Sequence, residues 1–136
     1  MFRIAALGTL GVYWTAIFVG THLPDGIRGL GQFYDKFLHF GAYAGLAFLL
    51  AATLTVLRRR RGALLLPLAI AAIYGCVDEL SQRAVPGRHA GIDDWIADVL
   101  GAGVGVIAFS LMSFAIVKFF ARSTTPECQT VTKSAA

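Results

Sequence analysis

Apolar residues gather into four long runs, about Ile4 to Gly20, Phe37 to Leu57, Ala63 to Gln82 and Ile92 to Phe120, with charge, glycine and proline concentrated between them. A helix needs roughly 20 mostly apolar residues to cross a bilayer, so each run predicts a transmembrane helix. The polar residues inside the runs are ordered. Asp35, His39 and Tyr43 recur every fourth position at the start of the second run, and Tyr74, Asp78 and Gln82 do the same at the end of the third. Asp94 and Asp98 open the fourth run at the same spacing. Side chains four apart share a helix face, so each set is a stripe, the first descending roughly 12 Å at about 1.5 Å per residue. Gly41 with Gly45, and Gly101 with Gly105, predict points where a neighbouring helix comes close.

The connections are short. Pro24, Gly26, Gly29 and Gly31 argue against a continuous helix between the first two runs, and Pro86-Gly87 ends the third. The first run carries Tyr13 and Trp14 but few polar groups, which predicts a packing helix without chemistry. Arg3 ahead of it suits a secretory signal, but the run is long for one and no small-x-small cleavage site precedes Pro24. Ser123 to Ala136 is rich in Ser and Thr, which predicts a disordered cytoplasmic tail after a four-span domain over 1–122. A composition 57% hydrophobic and 15% charged excludes a disordered chain and departs from the soluble norm. The fold class that follows is an all-α membrane protein, a four-helix transmembrane bundle. Cys76 lies in the third run and Cys128 in the tail, so no disulfide is expected.

The net charge of +4 is informative by position. Arg3, Arg58 to Arg61, Lys118, Arg122 and Lys133 fall at one set of helix ends and make up eight of the twelve basic residues. Basic residues in short loops mark the cytoplasmic side, so both termini are expected there. Seven of the eight acidic residues then fall at the outer ends. Four arginines in a tight turn are a topology signal, and no nucleic acid is expected.

Three helices therefore bring polar pairs to one side of the bundle: Asp35/His39, Asp78/Gln82 and Asp94/Asp98. An unpaired charge in the bilayer costs about 3 kcal/mol on insertion scales, so such groups must satisfy one another, with Lys36, Arg83 and Arg88 as opposite charges. Three chemistries fit. Asp35, His39, Asp78, Glu79, Asp94 and Asp98 offer oxygen and imidazole ligands for a divalent cation, although no HExxH motif or cysteine cluster specifies one. Alternatively His39 is an acid/base oriented by Asp35 or Asp78, with Lys36 and Arg88 clamping an anionic group. Asp98 as a proton carrier in a small transporter is the third, and a purely structural scaffold competes with all of them. His22 and His89 fall in loops and carry less weight. Trp95 is expected at the membrane interface.

Asp35-Lys36-x-x-His39-Phe40-x-x-Tyr43, Asp78-Glu79-x-x-Gln82, Pro86-Gly87-Arg88 and Asp94-x-x-x-Asp98-x-x-Gly101, in this order, resemble the VanZ-like family of small bacterial membrane proteins. The similarity runs from about Asp35 to Gly105. It implies a multi-pass protein of the bacterial inner membrane, in a family whose founding members are linked to resistance to teicoplanin-type glycopeptides, and it implies no particular reaction. The family pattern has Asn where this chain has Asp98. Residues and resemblance together lead to an expected outward-facing site for an anionic envelope component, a lipid-linked phosphate or a peptidoglycan precursor. Its expected ligand-binding residues are Lys36, Tyr43, Gln82, Arg88, Asp94 and Asp98. The alternative is a hydrolase or transferase using His39, Asp35, Asp78 and Glu79.

Overall fold

The structure, a computed structural model, describes residues 1–23, 32–58, 64–86, 88 and 91–123. Pro24 to Gly31, Arg59 to Ala63, Gly87, His89, Ala90 and the tail from Thr124 lie outside the described residues. The helices are α1 (Phe2–Thr21), α2 (Gln32–Arg58), α3 (Leu65–Gln82) and α4 (Ile92–Ser123). Each is long and apolar enough to cross a membrane, where only internal backbone hydrogen bonding is tolerable. The four expected spans are present, with α2 beginning at Gln32 rather than within the polar stripe. α3 ends at Gln82 and the chain turns through Arg83 to Pro86. Ser123, assigned to the tail from its composition, closes α4.

The bundle is organised around α2 and α4. Gly101 lies against the carbonyl of Phe40, Gly105 lies against that of Ala44, and the ring of Phe109 meets Phe48 edge-on at 5.6 Å. Positions 40, 44 and 48 advance together with 101, 105 and 109, so the two helices run parallel in one continuous seam. A Cβ at either glycine would overlap a backbone oxygen. α3 supplies the antiparallel return and packs on α4, where Trp95 Nε1 donates to the carbonyl of Ala72 at 3.0 Å. The indole thus ties two helices together, a role that its position near the helix start did not suggest.

Only one of the two expected glycine pairs performs as such. Gly41 faces open space, and Gly45 admits the ring of Tyr13 instead of a helix backbone. Tyr13 then donates to the carbonyl of Ala42 at 3.1 Å, fastening α1 to α2. Trp14 meets Tyr74 edge-on at 4.9 Å and joins α1 to α3. Large apolar side chains on the perimeter, among them Val12, Ile73, Leu100 and Ile107, are exposed, as lipid-facing positions should be. Cys76 is also on this exposed perimeter.

The seam makes a sharp prediction. Gly101→Leu puts side-chain atoms where the Phe40 carbonyl lies and should cost about 3 kcal/mol or more, the upper range for overpacking. Gly41→Ala meets no neighbour among the described residues and should change stability by about 0.5 kcal/mol or less. Unfolding of the two purified variants by a denaturing detergent checks the difference.

Candidate functional site

The bundle end where α1 and α3 finish and α2 and α4 begin holds a polar cluster. His39, Tyr43, Asp78, Glu79, Gln82, Arg88, Asp94 and Asp98 are all buried there, and Asp35 is half-buried. Helical spacing explains the selection. Asp35, His39 and Tyr43 line the inward face of α2, Asp78 and Gln82 that of α3, and Asp94 and Asp98 that of α4.

Arg88 enters from the connection between α3 and α4, with its side chain only 1% exposed. Its Nε donates to Gln82 Oε1 at 2.8 Å, and its Nη2 faces His39 Nε2 at 2.9 Å and Asp35 Oδ2 at 3.4 Å. A guanidinium has donors and no acceptor, so His39 Nε2 must be the acceptor and the ring proton sits on Nδ1. That proton is donated to Asp98 Oδ1 at 3.0 Å. On the other arm Gln82 Nε2 donates to Asp78 Oδ2 at 2.9 Å, and Thr21 of α1 donates to Asp78 Oδ1 at 3.0 Å. The result is one directional chain: Arg88 donates to Gln82 and His39, and these donate in turn to Asp78 and Asp98.

This geometry alters the roles expected of individual residues. The carboxyl group that orients His39 is Asp98, not Asp35 or Asp78. Asp35 Oδ2 lies 3.9 Å from Nε2, and Asp78 is engaged by Thr21 and Gln82. Lys36, expected beside Arg88, pairs with Asp93 at the rim, with both side chains about half exposed. α1 takes part in the site, contrary to expectation, through Thr21 and through His22. The His22 ring lies 2.8 Å from the Phe18 carbonyl by Nδ1 and 2.9 Å from the Ser81 hydroxyl by Nε2. The only advance signal for either residue was position, at the end of a span on the polar side.

Glu79 projects beside the chain. Its Oε2 accepts from the Gly91 amide at 3.0 Å, and its Oε1 faces His39 Nδ1 at 3.9 Å. Glu79 Oε1, Asp98 Oδ2, Tyr43 Oη and Tyr74 Oη are buried without a hydrogen-bond partner among the described residues. Tyr43 lies between His39 and Tyr74, its ring stacked with theirs at centroid distances of 6.5 and 5.9 Å. Gly75 makes room for Asp98 Oδ2 and the Tyr43 ring on α3, where a Cβ would crowd both.

Two grooves approach the cluster from opposite sides of the bundle. One, of about 270 Å³, lies between α1 and α2, is lined by Tyr13, Ile17, Gly20, Thr21, Leu38 and Ala42, and ends at His39. The other, of about 300 Å³, lies between α3 and α4 and reaches Glu79 past Cys76, Leu80 and Trp95. Both are mainly apolar and open at the lipid-facing perimeter.

No curated protein and no solved structure matches the chain. The profile of one family, VanZ/LLP1, does match, over residues 2–113. That span takes in α1, α2, α3 and most of α4, together with every residue of the polar cluster. The chain is therefore a multi-span membrane protein belonging to the VanZ/LLP1 family.

Proposed function

We propose that the cluster recognises the anionic headgroup of a lipid-linked envelope component, either a polyprenyl-type phosphate or a peptidoglycan precursor. The observation that carries this reading is the meeting of Arg88 with His39 at the inner end of an apolar groove. A lipid tail would lie in the groove between α1 and α2, leaving its headgroup beside a guanidinium whose planar fork suits phosphate and carboxylate oxygens. The site would open on the outer face of the bacterial inner membrane, with both termini in the cytoplasm, a reading that the run of arginines at 58–61 supports. Sequestering or altering such a precursor would link the protein to glycopeptide susceptibility, in keeping with its family.

A second reading is supported by the pair Asp98 and His39. A buried carboxyl group that holds Nδ1–H leaves the Nε2 lone pair as the basic atom, the arrangement of a general base. In this reading Arg88 Nη2 leaves Nε2 for the phosphoryl oxygens, and the freed lone pair takes a proton from water or an acceptor hydroxyl as its oxygen attacks phosphorus. The bond from phosphorus to the leaving oxygen then breaks, and that oxygen receives the proton from His39. Arg88 stabilises the charge that develops on the phosphoryl oxygens.

Binding is tested on purified protein in lipid nanodiscs. A polyprenyl phosphate should raise the unfolding temperature, since ligand at a hundred times its Kd adds about 2.7 kcal/mol by linkage. The matching polyprenol should not. If wild type does not respond, or if Arg88→Gln responds equally, the headgroup reading fails. His39→Asn separates the two readings, because its amide can still donate to Asp98 but has no atom at Nε2. It should keep binding and lose any turnover of the polyprenyl phosphate, and turnover that survives in His39→Asn excludes the base role.

The orientation is tested separately. Periplasmically active phosphatase fused after Arg88 should be active and the same reporter after Arg61 inactive. The reverse pattern would put the cluster on the cytoplasmic side.

A further inference from the structure

We propose that His39, Glu79 and Asp98 form a binding site for a divalent first-row cation, with zinc the closest match. Candidate ligand atoms of the three side chains lie within 4.8 Å of one another. His39 Nδ1 is 3.0 Å from Asp98 Oδ1 and 3.9 Å from Glu79 Oε1. A tetrahedral zinc with bonds of 2.0–2.2 Å holds its ligands about 3.4 Å apart, and the observed separations bracket that value.

The second observation is independent of the clustering. Each carboxyl group is held by one oxygen only: Glu79 through the Gly91 amide and Asp98 through His39. Their other oxygens, Glu79 Oε1 and Asp98 Oδ2, have no hydrogen-bond partner among the described residues. Yet Asp98 is 0% exposed, His39 1% and Glu79 7%. A buried acceptor without a donor costs about 1–3 kcal/mol, more when charged; a cation held by His39 Nδ1, Asp98 Oδ1 and Glu79 Oε1 satisfies the last directly and neutralises the charge that makes Asp98 Oδ2 costly. The charge balance points the same way. Among the described residues the buried set includes Asp78, Glu79, Asp94 and Asp98 against the guanidinium of Arg88. One imidazole nitrogen with two carboxylate oxygens favours zinc over magnesium or calcium, which take oxygen ligands. Three protein ligands leave one tetrahedral position open, as in zinc sites that polarise a bound oxygen.

Binding has a cost that makes the proposal specific. His39 Nδ1 must change from donor to ligand, so its proton moves to Nε2, where Arg88 Nη2 now donates. Nε2–H can turn to Asp35 Oδ2, 3.9 Å away, while Arg88 keeps Gln82. The cation and the bond between Arg88 and His39 are therefore mutually exclusive. Removing the guanidinium should strengthen cation binding, the opposite of its effect on an anionic headgroup. Cation binding does not require headgroup recognition, and either can be absent without the other.

The test is equilibrium dialysis of metal-free protein in detergent against ZnCl2, with bound zinc measured by elemental analysis and folding followed by circular dichroism. Wild type should bind a single equivalent at micromolar zinc. Glu79→Gln and Asp98→Asn should bind about tenfold more weakly or worse, and Arg88→Gln more tightly. Should a carboxamide variant fail to fold, the visible spectrum of cobalt-loaded wild type decides, since tetrahedral nitrogen and oxygen ligation gives an intense band that hydrated cobalt lacks. No stoichiometric binding, unchanged affinity in both carboxamide variants, or a hydrated-cobalt spectrum overturns the site and leaves the two carboxyl groups satisfied by protons instead.

Discussion

The buried guanidinium of Arg88 is the group on which the polar end of this bundle depends. Because it can only donate, it decides the orientation of everything it touches. Gln82 must present its carbonyl oxygen to Arg88 and its amide nitrogen to Asp78, and His39 must present a bare Nε2 and carry its proton on Nδ1. A neutral amide and a neutral imidazole thus relay one positive charge to two carboxyl groups on different helices. Taking one member out of such a network leaves the others unsatisfied in a medium without water, which is more costly than the network is stabilising.

That network can exist only because α2 and α4 nearly touch. With Gly101 and Gly105 set on the carbonyls of Phe40 and Ala44, the helix axes are close enough for His39 and Asp98 to meet at 3.0 Å one step above the seam. Between helices in lipid there is little hydrophobic drive to association, so close backbone packing and interhelical hydrogen bonds must supply it. In this protein the two are the same feature: small residues at 101 and 105 admit the contact, and His39 with Asp98 fixes its register. Gly75 extends the logic to α3, where the missing side chain is filled by Tyr43 and Asp98.

The spans and the inward stripes were legible because they rest on period and length alone. Apolar runs of the right length gave the helices, and a spacing of four put Asp35, His39 and Tyr43 on one face before any contact was known. What spacing could not supply was the pairing across helices. Any of Asp35, Asp78 and Asp98 could have reached His39, and the choice of Asp98 depends on helix separation that only the glycine seam sets. The two glycine pairs looked equivalent, yet Gly41 faces open space because the α2 face that meets α4 carries Phe40, Ala44 and Phe48 instead. Thr21 and His22 were illegible for another reason: a single polar residue at the end of a span has no periodicity to distinguish it from an ordinary helix terminus.

Asp98 separates a structural lock from a working site. His39 Nδ1–H needs only an acceptor, and the carbonyl of an Asn would serve as well. The acid adds a second oxygen, and that oxygen has no bond in the deepest part of the cluster. Asp78, by contrast, has both oxygens engaged, by Thr21 and by Gln82. A network whose sole task was to hold helices in register would look like Asp78 throughout. Beside His39 it does not: Glu79 Oε1 and Asp98 Oδ2 are buried without a hydrogen-bond partner among the described residues, and one groove reaches Glu79 while the other reaches His39. Polar capacity left unused between two lipid-facing grooves is what the proposed headgroup and cation would engage.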